Sequence, residues 1–229
     1  MIDSILSAQE KNLREQLVDV SNQLVFLGLN RGTSGNCSVR LEEYLLITPS
    51  GVPTKDLTTD AIVKLDYSGN IIGSGRPSSE WQFHCDILSR RPDVNAVVHT
   101  HSLHATSQSC MRKEIPAFHY MIAIAGGDSI RCAPYETFGS KSLSLGAIEA
   151  LESRLACLLA NHGLIALGVD LDCALALALE VETLCDQYTC AQLLGGPHIL
   201  SKSQMDEVLE KFKGYGTVKN SKAFLEEND

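Results

Sequence analysis

Ala96-Val97-Val98-His99-Thr100-His101 is an apolar run that closes on two histidines one residue apart. Side chains alternate along a strand, so His99 and His101 leave one face and both imidazoles can converge on a point. A second apolar run, Leu155 to Ala160, ends just before a third histidine, His162, and Glu80 follows the pair Ser78-Ser79. Three nitrogens and one carboxylate therefore stand at the ends of regular elements, where loops gather a pocket.

The elements around these residues alternate between strand and helix patterns. Leu13, Leu17, Val20, Leu24 and Leu27 keep a three-to-four spacing that predicts an amphipathic helix, stopped by Gly28 to Gly32. Cys37–Leu41 and Tyr44–Thr48 read as one hairpin, and Ile62–Asp66 with Ile71 and Ile72, around Ser68-Gly69-Asn70, as another. Pro77-Ser78-Ser79 predicts the start of a helix from Glu80 to about Arg90, with Trp81, His84 and Leu88 facing inward. Helical character returns over Ser140–Arg154, Asp172–Leu194 and Ser203–Lys213, with strands at Leu155–Ala160 and Leu164–Leu167 between the first two. Residues 119–125 fit a helix or a strand. Strands covered by helices on both sides fit this order.

Composition bounds the function. The 229 residues suffice for one substantial core, so residues 1–216 read as one domain and residues 217–229 as a charged, mobile tail. With 19 basic against 28 acidic side chains the net charge is −9, which offers no bulk attraction to nucleic acid or an anionic membrane. Apolar stretches such as Ala174–Leu179 fall far short of the roughly 18 residues of a membrane span. Met1–Gln9 has no basic start and no apolar core of a signal peptide, so the expected place is the cytosol. The eight cysteines contain no C-x-x-C pair and read as buried reduced thiols.

The histidine trio suits zinc, which takes three protein ligands in catalytic sites and keeps one position open. The plain alternative is a set of ordinary half-buried imidazoles. His104 either supports a ligand or belongs to the core. Glu80 can be a ligand, a base that takes a proton from carbon, or a carboxylate that favours a helix N-terminus. The segments Gly32-Thr33-Ser34-Gly35-Asn36, Thr48-Pro49-Ser50-Gly51 and Pro77-Ser78-Ser79 are either turns or small-residue loops whose N–H groups can approach a phosphate without lysine. No nucleotide-binding glycine loop is present in the sequence.

Gly35-Asn36, Thr48-Pro49-Ser50-Gly51, Pro77-Ser78-Ser79-Glu80-Trp81, Val97-Val98-His99-Thr100-His101, His119-Tyr120-Met121-Ile122-Ala123 and Asn161-His162-Gly163 come in an order that resembles the class II sugar-phosphate aldolases over essentially the whole chain. The resemblance implies an α/β fold, a three-layer α/β/α sandwich around a mixed, mainly antiparallel sheet. It implies zinc on His99, His101 and His162, with Glu80 as the acid/base at C3 of dihydroxyacetone phosphate. Thr33, Asn36, Ser50, Gly51, Ser78 and Ser79 would cradle the phosphate. Tyr120 would serve the aldehyde oxygen across a subunit boundary of a homotetramer, and Phe138 and Tyr215 would border the aldehyde end. The implied reaction is reversible cleavage of a ketose 1-phosphate, with L-fuculose 1-phosphate giving dihydroxyacetone phosphate and L-lactaldehyde. Relatives that cleave 5-deoxyribulose 1-phosphate or its methylthio analogue share these motifs. A phosphopentose 4-epimerase, which commonly carries Asp where this chain has Glu80, and a non-catalytic adducin-like module are the alternatives of other classes.

Overall fold

The computed structural model describes the backbone of residues 2–215 and the side chains of residues 8–213. The expected tail and the side chain of Tyr215 lie outside the described residues. Eight strands form one sheet: β1 (Asn36–Leu41), β2 (Tyr44–Ile47), β3 (Val63–Asp66), β4 (Ala96–Thr100), β5 (Ile115–Pro116), β6 (Ser129–Ala133), β7 (Ala156–Leu159) and β8 (Gly163–Gly168). Their spatial order is β3-β2-β1-β4-β8-β7-β6-β5, and among the described residues only β6 and β7 run parallel. The helices are α1 (Ile2–Phe26), α2 (Trp81–Arg90), α3 (Leu103–Ser109), α4 (Lys141–Ala150), α5 (Leu171–Leu193) and α6 (Lys202–Tyr215).

Every residue of β4, β7 and β8 is buried, as expected of central strands covered on both faces. Alternation then divides them between two cores. Val98, Leu158, Leu164 and Ala166 pack into the layer that holds α1 and α5. Val97, Leu159, Ile165 and Leu167 join Phe83, Ile87, Leu88 and Leu143 in the layer of α2 and α4. The sandwich is thus α/β/α, as the resemblance implies.

Several sequence expectations shift. The second hairpin has no second strand: Ile71 makes only an isolated bridge to Leu65. The Asp66 carboxylate takes the N–H groups of Ser68 and Asn70, making a side-chain turn that competes with ladder pairing. The helix expected to reach Arg154 ends at Ala150, because Ser153 turns into the left-handed region at φ 55°. Residues Tyr120–Ala125 form a 3-10 helix, started by the His119 ring nitrogen accepting from the Met121 N–H and ended by Gly126 at φ 89°. The strands β5 and β6 and the helix α3 have no counterpart in the sequence reading. Trp81 is half-buried, and the inward face of α2 carries Phe83, His84, Cys85, Ile87 and Leu88. The cysteines are all unpaired, but only Cys37, Cys85, Cys157 and Cys185 are buried, while Cys110, Cys173 and Cys190 are exposed.

The register decides where the site lies. Asn36 on β1 pairs with His99 on β4, and Thr100 pairs with Leu164 on β8. The end of β4, the start of β8 and the start of β1 therefore share one rim of the sheet. His101 leaves β4 and His162 enters β8 at that rim. Gly163 permits the approach: a Cβ there would stand 2.2 Å from the carbonyl oxygen of Thr100.

Candidate metal centre and its pocket

The three imidazoles meet at the rim through their Nε2 atoms. His99 Nε2 lies 3.0 Å from His101 Nε2 and 3.2 Å from Glu80 Oε2, and His162 Nε2 lies 3.1 Å from Glu80 Oε1. All four ligating atoms fall within 4.8 Å of one another. Tetrahedral zinc with Zn–N bonds near 2.05 Å separates its ligand atoms by roughly 3.3 Å, close to these three separations, so the residues present suit a divalent ion. Two facing imidazole nitrogens and a buried carboxylate among three imidazoles are the chemical signature of a centre built for a cation. His99 donates from Nδ1–H to the carbonyl of Leu164 at 2.9 Å, which turns its Nε2 lone pair toward the centre.

Glu80 occupies the N-cap position of α2, where Ser78 Oγ accepts its N–H at 3.2 Å. Its side chain is not a free carboxylate. It accepts from Asn36 Nδ2 at 2.9 Å and stands within ion-pair reach of His99 and His162. Burial opposes its charge, but the facing imidazoles prevail and hold its pKa far below the usual carboxylate range. Burial and the neighbouring His99 and His162 push His101 down to about 4, which keeps a lone pair available near neutrality.

A pocket of about 320 Å³ opens onto this centre, within the usual size of a small-molecule site. It collects Thr33, Asn36, Ser50, Gly51, Ser78, Ser79 and Phe138 from the sequence expectations, together with Glu80, His101 and His162. The loops are zipped to each other: Ser78 N–H donates to Thr48, Ser50 N–H donates to Arg76, and Pro49 bridges Pro77. Among the described residues, the main-chain N–H groups of Gly51 and Ser79 have no partner, so both are available to an anion. Asn36 lines the pocket, but its amide is engaged by Glu80 and His84.

Tyr120 is half-exposed and does not line the pocket of its own chain. His104 stays outside the ligand group, with Nδ1 3.4 Å from Asp186 Oδ1. The wall formed by Tyr135, Glu136 and Asn161 has no role in the sequence reading. Asn161 accepts from Arg112 Nε at 2.6 Å, and the Arg112 guanidinium lies over the Tyr135 ring at 5.6 Å. The only sequence signal for this wall is Asn161 beside His162. Tyr135 and Glu136 follow β6, and without that strand nothing brings them to the rim.

The chain is similar to known proteins in sequence and in fold. The family model described as the class II aldolase and adducin N-terminal domain matches residues 15–189. A 5-methylthioribulose-1-phosphate/5-deoxyribulose-1-phosphate aldolase of Rhodospirillum rubrum is 52% identical over 204 residues, covering 89% of this chain and 92% of its own. The L-fuculose phosphate aldolase of Escherichia coli K12 is 48% identical over 209 residues, covering 91% and 97%. A solved L-fuculose 1-phosphate aldolase superposes with a TM-score of 0.85 at 39% identity, over 88% of this chain and 96% of its own. No described helix is long and apolar enough to cross a membrane. Fold and sequence agree, and the chain belongs to the class II aldolases.

Proposed function

We propose that this chain reversibly cleaves a ketose 1-phosphate with zinc on His99, His101 and His162, releasing dihydroxyacetone phosphate and a short aldehyde. The observation that carries the reading is the convergence of three Nε2 atoms on a carboxylate at the floor of a pocket lined by N–H and hydroxyl donors. A divalent ion held there supplies Lewis-acid stabilisation of the charge that develops on the ketose oxygens.

This chain's own groups do the rest. The N–H groups of Gly51 and Ser79, with the hydroxyls of Thr33, Ser50 and Ser79, receive the phosphate. Ser78 contributes mainly by holding the Glu80 N–H. A substrate oxygen that enters between the imidazoles displaces the Glu80 carboxylate from them, and Glu80, still tethered by Asn36, exchanges a proton with C3. Phe138 borders the aldehyde end, with Tyr215 as its expected neighbour. The aldehyde oxygen is served by Tyr120 of a neighbouring subunit, which fits its exposure away from its own pocket and a homotetrameric enzyme.

L-fuculose 1-phosphate is the substrate expected from the motifs, and the 48% identity to the Escherichia coli enzyme supports it. The 52% identity to the Rhodospirillum rubrum enzyme favours a second reading, 5-methylthioribulose or 5-deoxyribulose 1-phosphate. The three differ only beyond the bond that breaks, where a methyl or hydroxyl is worth roughly 1–3 kcal/mol. The test is a panel of these three ketose phosphates with zinc-loaded and chelated protein, scored by kcat/KM. Glu80→Gln is expected to reduce cleavage by roughly 10²- to 10⁴-fold. Cleavage that persists in the chelated protein, or undiminished turnover in Glu80→Gln, refutes the proposal.

A further inference from the structure

Behind Glu80 runs a chain of buried polar groups that the reaction as described does not use. Asn36 and Ser38 are two apart on β1 and so share a face; Glu80 and His84 are four apart at the start of α2 and so stand one above the other. Strand pair and helix pair face each other. Ser38 Oγ is 2.7 Å from His84 Nδ1, His84 Nε2 is 2.5 Å from Asn36 Oδ1, and Asn36 Nδ2 is 2.9 Å from Glu80 Oε2. Ser38 and His84 are fully buried, and Asn36 and Glu80 are nearly so.

The chemistry allows only one direction for these bonds. A carboxylate can only accept, so the Asn36 amide must turn its NH2 to Glu80 and its carbonyl to His84. That carbonyl needs a donor, which fixes the His84 proton on Nε2. Nδ1 is then the acceptor, and the Ser38 hydroxyl donates to it. Burial pushes His84 down to about 3, so it stays neutral and keeps this tautomer near neutral pH. The ring is stacked on Phe83 with centroids 4.5 Å apart. One end of Glu80 is thereby tied by a neutral amide, while Oε1 faces the centre, 3.1 Å from His162 Nε2.

We propose that Ser38 and His84 are positioning residues which, through Asn36, clamp Glu80 by Oε2 and reserve Oε1 as the oxygen that exchanges a proton with the substrate carbon. The inference rests on the reading of Glu80 as the base and says which atom acts and what aims it. In the step, the C3–H bond breaks, its proton passes to Oε1, and the electron pair stays on the substrate; the reverse step returns the proton. Once substrate has displaced Glu80 from the imidazoles, the Asn36 bond is what keeps the carboxylate within reach.

Two measurements on the full-length chain test this. Nitrogen-15 spectra of the zinc-loaded and the metal-free protein should show His84 neutral with its proton on Nε2; a proton on Nδ1 overturns the relay, because Asn36 would then face the carboxylate with its carbonyl. Exchange of the C3 proton of dihydroxyacetone phosphate with solvent deuterium reads the proton transfer directly. His84→Phe keeps the ring and loses both nitrogens, and should slow exchange and kcat roughly 10- to 100-fold, with KM and zinc content near wild type. His84→Gln, which can still donate toward Asn36, should recover part of the loss. Wild-type exchange in His84→Phe, or a loss of zinc and KM in step with kcat, overturns the proposal. Should His84→Phe fail to fold, Ser38→Ala must slow exchange where Ser38→Thr does not; equal rates overturn it. A wild-type chain that exchanges no proton refutes the aldolase reading instead, and the tautomer still reports whether the chain of bonds exists.

Discussion

Gly163→Ala separates the geometry of the metal centre from the identity of its ligands. Gly163 opens β8 opposite the end of β4, and an added Cβ would stand 2.2 Å from the Thr100 carbonyl oxygen and 3.0 Å from Cδ2 of the His101 ring. Ordinary contact begins at 3.4 Å, so the two strands must part by about 1.2 Å at the point between His101 and His162. The nearer neighbour is main chain and cannot turn away. Overpacking of this kind costs roughly 1–3 kcal/mol, which for a chain of this size lowers Tm by about 2–12 °C. The opening also pulls apart nitrogens that now stand at ligand distance, and affinity for zinc should fall roughly 10- to 100-fold. Calorimetry gives Tm, and competition with a chromophoric chelator gives the affinity. A Gly163→Ala protein with wild-type zinc affinity and a Tm within a degree of wild type would refute the claim that this close approach sets the centre.

Acid should weaken the metal-free protein before its carboxylates titrate. His84 is held at about 3 in the folded state against 6.5 when free, so the unfolded chain binds more protons between those values and stability falls as pH drops through that window. His101, at about 4, adds to the same fall. Urea titrations at pH 7.5 and 5.5 check the sign, and His84→Phe should show the smaller difference; a wild-type protein equally stable at both values contradicts it. Native thiol labelling should modify Cys110 and Cys190 first and Cys173 more slowly, because burial and Asp170 raise its thiol to about 11. Cys37, Cys85, Cys157 and Cys185 should react only after denaturation, and mass spectrometry of labelled peptides reads the order.

The sequence discloses a site when its residues sit at the ends of strongly patterned elements. His99, His101 and His162 follow apolar runs, and those runs become the fully buried strands β4 and β7 with β8 beside them. Glu80 is marked by the serine pair before it. What stays hidden depends on contacts distant in sequence. β6 reads as Ser-Ile-Arg-Cys-Ala, too short and too polar to announce itself, and becomes a strand because β7 pairs with it in parallel. Tyr135 and Glu136 reach the pocket only as a consequence. Likewise His84 reads as one inward residue of an amphipathic helix, and its link to Asn36 and Ser38 spans more than forty residues of chain.

The charge balance of the pocket completes the argument from composition. The chain carries a net charge of −9, and among the described residues that line the pocket there is no lysine or arginine, only the acids Glu80 and Glu136. A phosphate ester brought into such a place meets neutral donors and two carboxylates, so the loops can define where it binds but cannot supply the attraction. On the proposed reading, that attraction comes from a cation held at the imidazoles or from a neighbouring subunit. Affinity for inorganic phosphate, titrated by calorimetry, should therefore rise when zinc is added. Within the zinc-loaded protein it should change little on Glu136→Gln if the cation dominates, and increase clearly if the local carboxylates set the field. Phosphate binding equally well to the chelated and the zinc-loaded protein would mean that donors from a neighbouring subunit, rather than the metal centre, provide the positive potential.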